Sequence, residues 1–235
     1  MPDSTELVHR AIDLSDAGDY AGAMNLLTRA IAIDANNAQA FFERGMVYMN
    51  LDQDADAIPN FDRALAIDSE FPGARDWRSR ALESLGDHQN AAEDRLGDLQ
   101  SRPDGPYEGM GVSPQQWADC AEALANAGNH QKASEVLEDY FGDHAKKVTS
   151  YARFETAPMR IFAKLLIQSG DTERATEFAR KAYSSNHQCP ADVLVYALAL
   201  ESSGNLDAAR RVCAEAMEIN DQMAGVKELH ARLAE

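Results

Sequence analysis

A short phrase recurs along this chain at nearly fixed spacing, and it constrains the fold more than any other feature. Gly18-Asp19-Tyr20-Ala21-Gly22-Ala23 is followed 34 residues later by Asp52-Gln53-Asp54-Ala55-Asp56-Ala57, and 34 after that by Gly86-Asp87-His88-Gln89-Asn90-Ala91. Gly128-Asn129-His130-Gln131-Lys132-Ala133 and Gly170-Asp171-Thr172-Glu173-Arg174-Ala175 come at steps of 42, and Gly204-Asn205-Leu206-Asp207-Ala208-Ala209 restores the step of 34. At such a period each copy is a small unit that buries its apolar face only by stacking on its neighbours.

Each copy reads as helix–turn–helix. Before the turn, apolar and small residues recur at helical spacing: Leu7, Ala11 and Leu14; Phe41, Gly45 and Tyr48; Trp117, Ala121 and Leu124; Val193, Ala197 and Leu200. The Gly-Asp or Gly-Asn pair ends the first helix, because glycine tolerates the left-handed position there. Second helices carry Ala23, Leu27 and Ala30; Ala57, Phe61 and Ala64; Ala209, Cys213 and Ala216. Small residues where the two helices cross let the backbones approach. The chain has 40 alanines against 9 valines and 8 isoleucines, a balance that favours helix over strand. Ser113-Pro114 and Cys189-Pro190 place proline in a first helical turn. Pro59 falls inside a second helix and is expected to kink it or trim its start.

These residues resemble the tetratricopeptide repeat family over residues 4–105, 114–147 and 156–223. The resemblance implies an all-α fold, a right-handed α-solenoid of stacked helix-turn-helix repeats, with about six repeats and a C-terminal cap helix. The repeats are 4–37, 38–71 and 72–105 in an N-terminal array, then 114–147, 156–189 and 190–223 in a C-terminal array, with the cap at 224–235. A Pro- and Gly-rich stretch, 101–112, reads as a loop, with the linker between the arrays at 106–113, and 141–154 is a second insertion. The arrays either sit at an angle or form one continuous superhelix. Arg10 departs from the family's large apolar residue. In the third repeat Arg95 and Asp98 stand where the family has a large apolar residue and an alanine, which puts the second helix there in doubt.

No catalytic, phosphate-binding or dinucleotide motif occurs, so the chain is expected not to be an enzyme and to need no cofactor. Gly109-Met110-Gly111 has no strand before it. Asp52, Asp54 and Asp56 imitate the opening of a calcium loop, yet Ala57 and Arg63 stand where that loop needs glycine and glutamate. The six histidines are dispersed, and Cys120, Cys189 and Cys213 form no CxxC pair, so neither a metal site nor a disulfide framework is expected. A reducing compartment and the lack of a basic–apolar leader lead to an expectation of a cytoplasmic protein.

The formal charge is −17. It is uneven: residues 1–112 hold 9 Arg, no Lys and 21 acids, a net of −12. Such a field disfavours nucleic acid and acidic membranes as partners. It reads either as solvated helix faces or as attraction toward a basic partner.

The family resemblance implies a partner's peptide segment or helix held on a concave face lined by the first helices. The repeat phase places Val8, Ile12, Phe42, Met46 and Met49 on that face in the first two copies, and Arg160, Lys164, Ile167, Leu194 and Leu198 in the second array. Methionines beside an aromatic suit an apolar side chain or a partner helix. The alternative is that a neighbouring repeat, a second copy of the chain or its own N-terminus covers them, so a homo-oligomer stays open. Arg160 and Lys164, one turn apart, would hold a carboxylate unless they pair with Glu155, Asp192 or Glu201. Some members of the family grip an acidic C-terminus with a basic, amide-bearing clamp. Val8, Ile12, Glu43, Met46, Gly73 and Trp77 supply none here. The expected function is thus a non-enzymatic protein-interaction scaffold or adaptor. The alternative is an acidic neutralising or escort protein for a basic partner such as a toxin.

Overall fold

The computed structural model describes residues 2–101, 113–144, 156–186, 188–220 and 223–234. The linker reading at 106–113, apart from Ser113, and residues 145–154 of the second insertion lie outside them. Among the described residues all regular structure is helical. The N-terminal helices are α1 (Ser4–Asp16), α2 (Tyr20–Ile33), α3 (Ala38–Asn50), α4 (Asp54–Ile67), α5 (Ala74–Ser84) and α6 (His88–Ser101). Then follow α7 (Pro114–Asn126), α8 (His130–Asp139) with a π-helical turn at Tyr140–His144, α9 (Ala157–Ser169), α10 (Thr172–Ser185), α11 (Pro190–Ser202), α12 (Leu206–Ile219) and α13 (Ala224–Ala234). Consecutive helices pair into six antiparallel hairpins, and α13 packs on α12 and α11. The chain forms two compact units, Met1–Pro106 and Tyr107–Glu235.

The recurring phrase makes the turns. Gly18 has φ +81°, and Gly86, Gly128, Gly170 and Gly204 lie within a few degrees of it, a left-handed conformation costly for a side chain with Cβ. Asp52 occupies the same place in the second hairpin at φ +56°, as the short Asx side chain permits. The next residue starts the second helix. Asp19 accepts from the Gly22 amide at 2.9 Å, and Asn129, Asp171 and Asn205 do the same three residues ahead. Two adjacent residues thus end one helix and cap the next.

Small residues set the hairpin crossing. A Cβ at Gly45 of α3 would lie 2.6 Å from Cε1 of Phe61 on α4, and Phe61 is fully buried. Ala23, Ala57, Ala133, Ala175 and Ala209 are buried at equivalent places on the second helices. Within each unit, neighbouring first helices touch directly: α1 with α3 and α3 with α5, then α7 with α9, α9 with α11 and α11 with α13. The first helices therefore form one layer and the second helices the other.

Of the two effects expected of Pro59, a kink or a trimmed start, the trimming does not occur: α4 begins at Asp54. Asn60 adds a side-chain bond to the Asp56 carbonyl at 2.7 Å in the turn the proline disturbs. The second helix of the third hairpin, α6, runs its full length despite Arg95. Arg95 reaches back to Glu83 at 2.8 Å, and Arg78 to Asp94, so polar ties stand where apolar contacts would.

Candidate functional site

The layer of first helices in unit one presents the residues picked out by phase. On α3, Phe42, Met46 and Met49 follow at helical spacing and all are half-buried. Phe42 is anchored, its ring 5.8 Å from Phe61 and 5.0 Å from Phe71. Gly73, with φ +79°, lies between two rings: a Cβ there would sit 3.7 Å from Trp77 Cδ1 and 3.9 Å from Phe42 Cζ. Arg80 lies 4.9 Å over the Trp77 ring. Phe42, Phe71 and Trp77 therefore form an aromatic step from α3 to α5. Phe71 was absent from the sequence reading, because it sits outside the helical period.

Two other residues of that group fare differently. Ile12 is half-buried against the core of the first hairpin. Val8 is only 1% exposed and packs with Leu7, Ala11, Ala40 and Val47. The close approach of α3 to α1 covers it, so Val8 belongs to the core rather than to a free face.

The electrostatics of this face are acidic. Glu43, next to Phe42, has its carboxyl pushed up from its ordinary range, chiefly by burial. A hydrogen bond from Gln39 opposes the shift, and the like charge of Asp16 adds to it. Among the described residues, Glu43 and Asp16 take part in no ion pair. Four arginines of the same unit are engaged elsewhere. Arg44 donates to Asn60 at 2.7 Å, Arg78 is held by Asp62 and Asp94, Arg80 by Asp76, and Arg95 by Glu83.

In unit two one member of the basic pair is held by an acid of the chain itself. Arg160 of α9 donates to Asp192 of α11 at 2.9 Å. Asp192 is fully buried and also accepts from the Thr156 hydroxyl at 2.6 Å. Asp192 takes the arginine, and Glu155 lies outside the described residues. Lys164 is exposed and Ile167 half-buried. Leu194 and Leu198 pack against the core of the last hairpin and α13. A Cβ at Gly225 of α13 would come within 3.1 Å of Leu194. Much of the second predicted face is therefore occupied by the chain itself.

Elsewhere, a cavity of about 260 Å³ between α4, α5 and α6 is lined by Ile58, Asp62, Arg78, Leu82 and Asp94, among others. Its guanidinium is already neutralised by two carboxylates. Among the described residues, no three His, Cys, Asp or Glu side chains come together to hold a metal ion. No described helix is long and apolar enough to cross a membrane.

Comparison with known proteins places this architecture. Residues 14–52 match a family profile described as TPR repeat, and residues 38–71 one described as tetratricopeptide repeat. Among solved structures, PilW, a widely conserved type IV pilus biogenesis factor, superposes with TM-score 0.66 at 16% identity, over 96% of this chain and 97% of that one. YrrB, a TPR protein with an unusual peptide-binding site, gives TM-score 0.65 at 14% identity, over 88% and 97%. A chain from the Naa15/Naa10 complex bound to HypK-THB gives 0.61 at 19% identity, over 98% of this chain. This chain spans 34% of that one.

Proposed function

We propose that the chain is a non-enzymatic interaction module, because residues 14–52 and 38–71 match tetratricopeptide repeat profiles and 88% of the chain superposes on YrrB, a TPR protein. It holds a segment of another protein against the first helices of unit one. The observation that carries this reading is the half-buried row of Phe42, Met46 and Met49 beside the aromatic step to Trp77. Rigid rings supply contact area at little entropic cost, and unbranched thioethers adapt to the side chain they meet. YrrB, whose description names a peptide-binding site, is built of the same kind of hairpins.

Alanine substitution at positions 42, 46 and 49, followed by affinity measurement against a peptide selected on the wild-type chain, tests the reading. A central anchor costs on the order of 2 kcal/mol when truncated, about 30-fold in affinity. Unchanged affinity in every variant rejects it.

A second reading rests on the net −12 of residues 1–112: the unit neutralises or escorts a basic partner. It requires an association rate that falls about tenfold or more across moderate salt. A salt-independent rate excludes it.

A further inference from the structure

The apolar row of unit one does not stand alone. By helical phase, Asp16 lies one turn beyond Ile12 on α1, and Glu43 lies between Phe42 and Met46 on α3. Helices α1 and α3 are in contact, Glu43 is half-buried and Asp16 exposed, and among the described residues neither carboxylate joins a salt bridge. The like charge of Asp16 adds to the raised pKa of Glu43. Arg44, Arg78, Arg80 and Arg95 are committed to Asn60, Asp62, Asp94, Asp76 and Glu83. The face thus combines adaptable apolar side chains with uncompensated negative charge in a half-dehydrated setting. A purely apolar segment laid across it would strip more water from Glu43 and leave the charge unpaired, which is costly. An acidic segment would add repulsion. A cation placed there gains a charge-assisted hydrogen bond and relieves the repulsion between the carboxylates.

We propose that the first-helix face of unit one takes an amphipathic partner segment. Its lysine or arginine seats on Glu43 and Asp16 while its apolar side chains cover Ile12, Met46 and Met49. This rests on the interaction reading above and adds the chemistry of the partner.

The test is selection of a phage-displayed library of random peptides against the full-length chain. The strongest peptide is then synthesised and titrated by fluorescence anisotropy. The selected sequences are expected to carry Lys or Arg three or four positions from a large apolar residue. Glu43→Gln, which keeps shape and removes charge, should weaken the peptide at least tenfold. Replacing the peptide's basic residue with norleucine should weaken binding to the wild-type chain by a similar factor. The same replacement should change binding to the Glu43→Gln variant little. Circular dichroism confirms that the variants fold. Peptides without an enriched basic residue, or an affinity indifferent to Glu43→Gln, overturn the proposal. If Met46→Ala still weakens those peptides, the interaction reading stands and only its charge component falls. Recovery of no binder, or of binders indifferent to both substitutions, removes both.

Discussion

Arg78 donates through Nε to Asp94 at 2.7 Å, and 34 residues earlier Arg44 donates through Nε to Asn60 at the same distance. The tie joins first and second helix at one repeat position in two successive hairpins. The Asp94 carboxylate, with Asp62 behind it, holds the Arg78 guanidinium more basic than usual. In the second hairpin an amide does the same positional work without a charge. Asp94→Asn is therefore expected to be tolerated, because asparagine already serves there in the neighbouring repeat. Asp94→Ala should cost about 2 kcal/mol, since it leaves a largely buried guanidinium short of an acceptor. Urea denaturation of the two variants measures the difference.

Gly45→Ala should be disproportionately harmful for one methyl group. Its Cβ would meet the ring of Phe61 at 2.6 Å, and that ring is enclosed on all sides. Overpacking of this kind costs about 1–3 kcal/mol. Glycine-to-alanine change in a helix otherwise gains stability through propensity, so a lowered melting temperature separates the two effects.

Asp192 ties α11 to α9 through Arg160 and Thr156. Asp192→Ala strands these donors beside a fully dehydrated position, and the loss should reach about 3 kcal/mol. Hydrogen exchange should show faster opening of α9 and α11 than of α1 to α3. Uniform exchange would mean that the tie is dispensable.

Glu43 gives a pH signature. Its carboxyl binds its proton more tightly in the folded chain than in the unfolded one. The folded state therefore carries the extra proton between the two values, and stability falls as pH rises through that window. Glu43→Gln removes this penalty, so the variant should melt higher than wild type at pH 7. The gain should vanish once the pH drops below the ordinary glutamate range. Facing Asp16 contributes like-charge repulsion, so Asp16→Asn should shift the same profile in the same direction. A variant that weakens a partner while stabilising the free chain marks a residue kept for binding rather than folding.

Much of the fold was legible because its rules are local. The Gly-Asp pair dictates a left-handed stop and a cap whatever surrounds it, and the alanine at each crossing is read by counting. What failed was information held between repeats. Val8 lies beside the packing stripe of α1, but its phase does not reveal how near α3 comes, and that approach buries it. Asp192 is one of the acids the sequence offers to Arg160, but spacing within one helix does not choose among them, and the partner that takes the arginine lies 32 residues away. The third hairpin looked weak because Arg95 breaks the apolar pattern. Pattern counting cannot see that Glu83 waits twelve residues earlier to receive it. On the candidate face, Met46 and Met49 were visible from sequence, whereas the aromatic step through Phe71 and Trp77 needed the loop geometry around Gly73.

The most direct measurement is the affinity of one selected peptide for the wild-type chain and for a Phe42→Ala/Met46→Ala double variant of equal helicity. Seating on the first-helix face predicts a loss of 30-fold or more, with Lys164→Ala in unit two neutral. Equal affinity for wild type and double variant would show that a partner engages some other surface, and the central claim would be wrong.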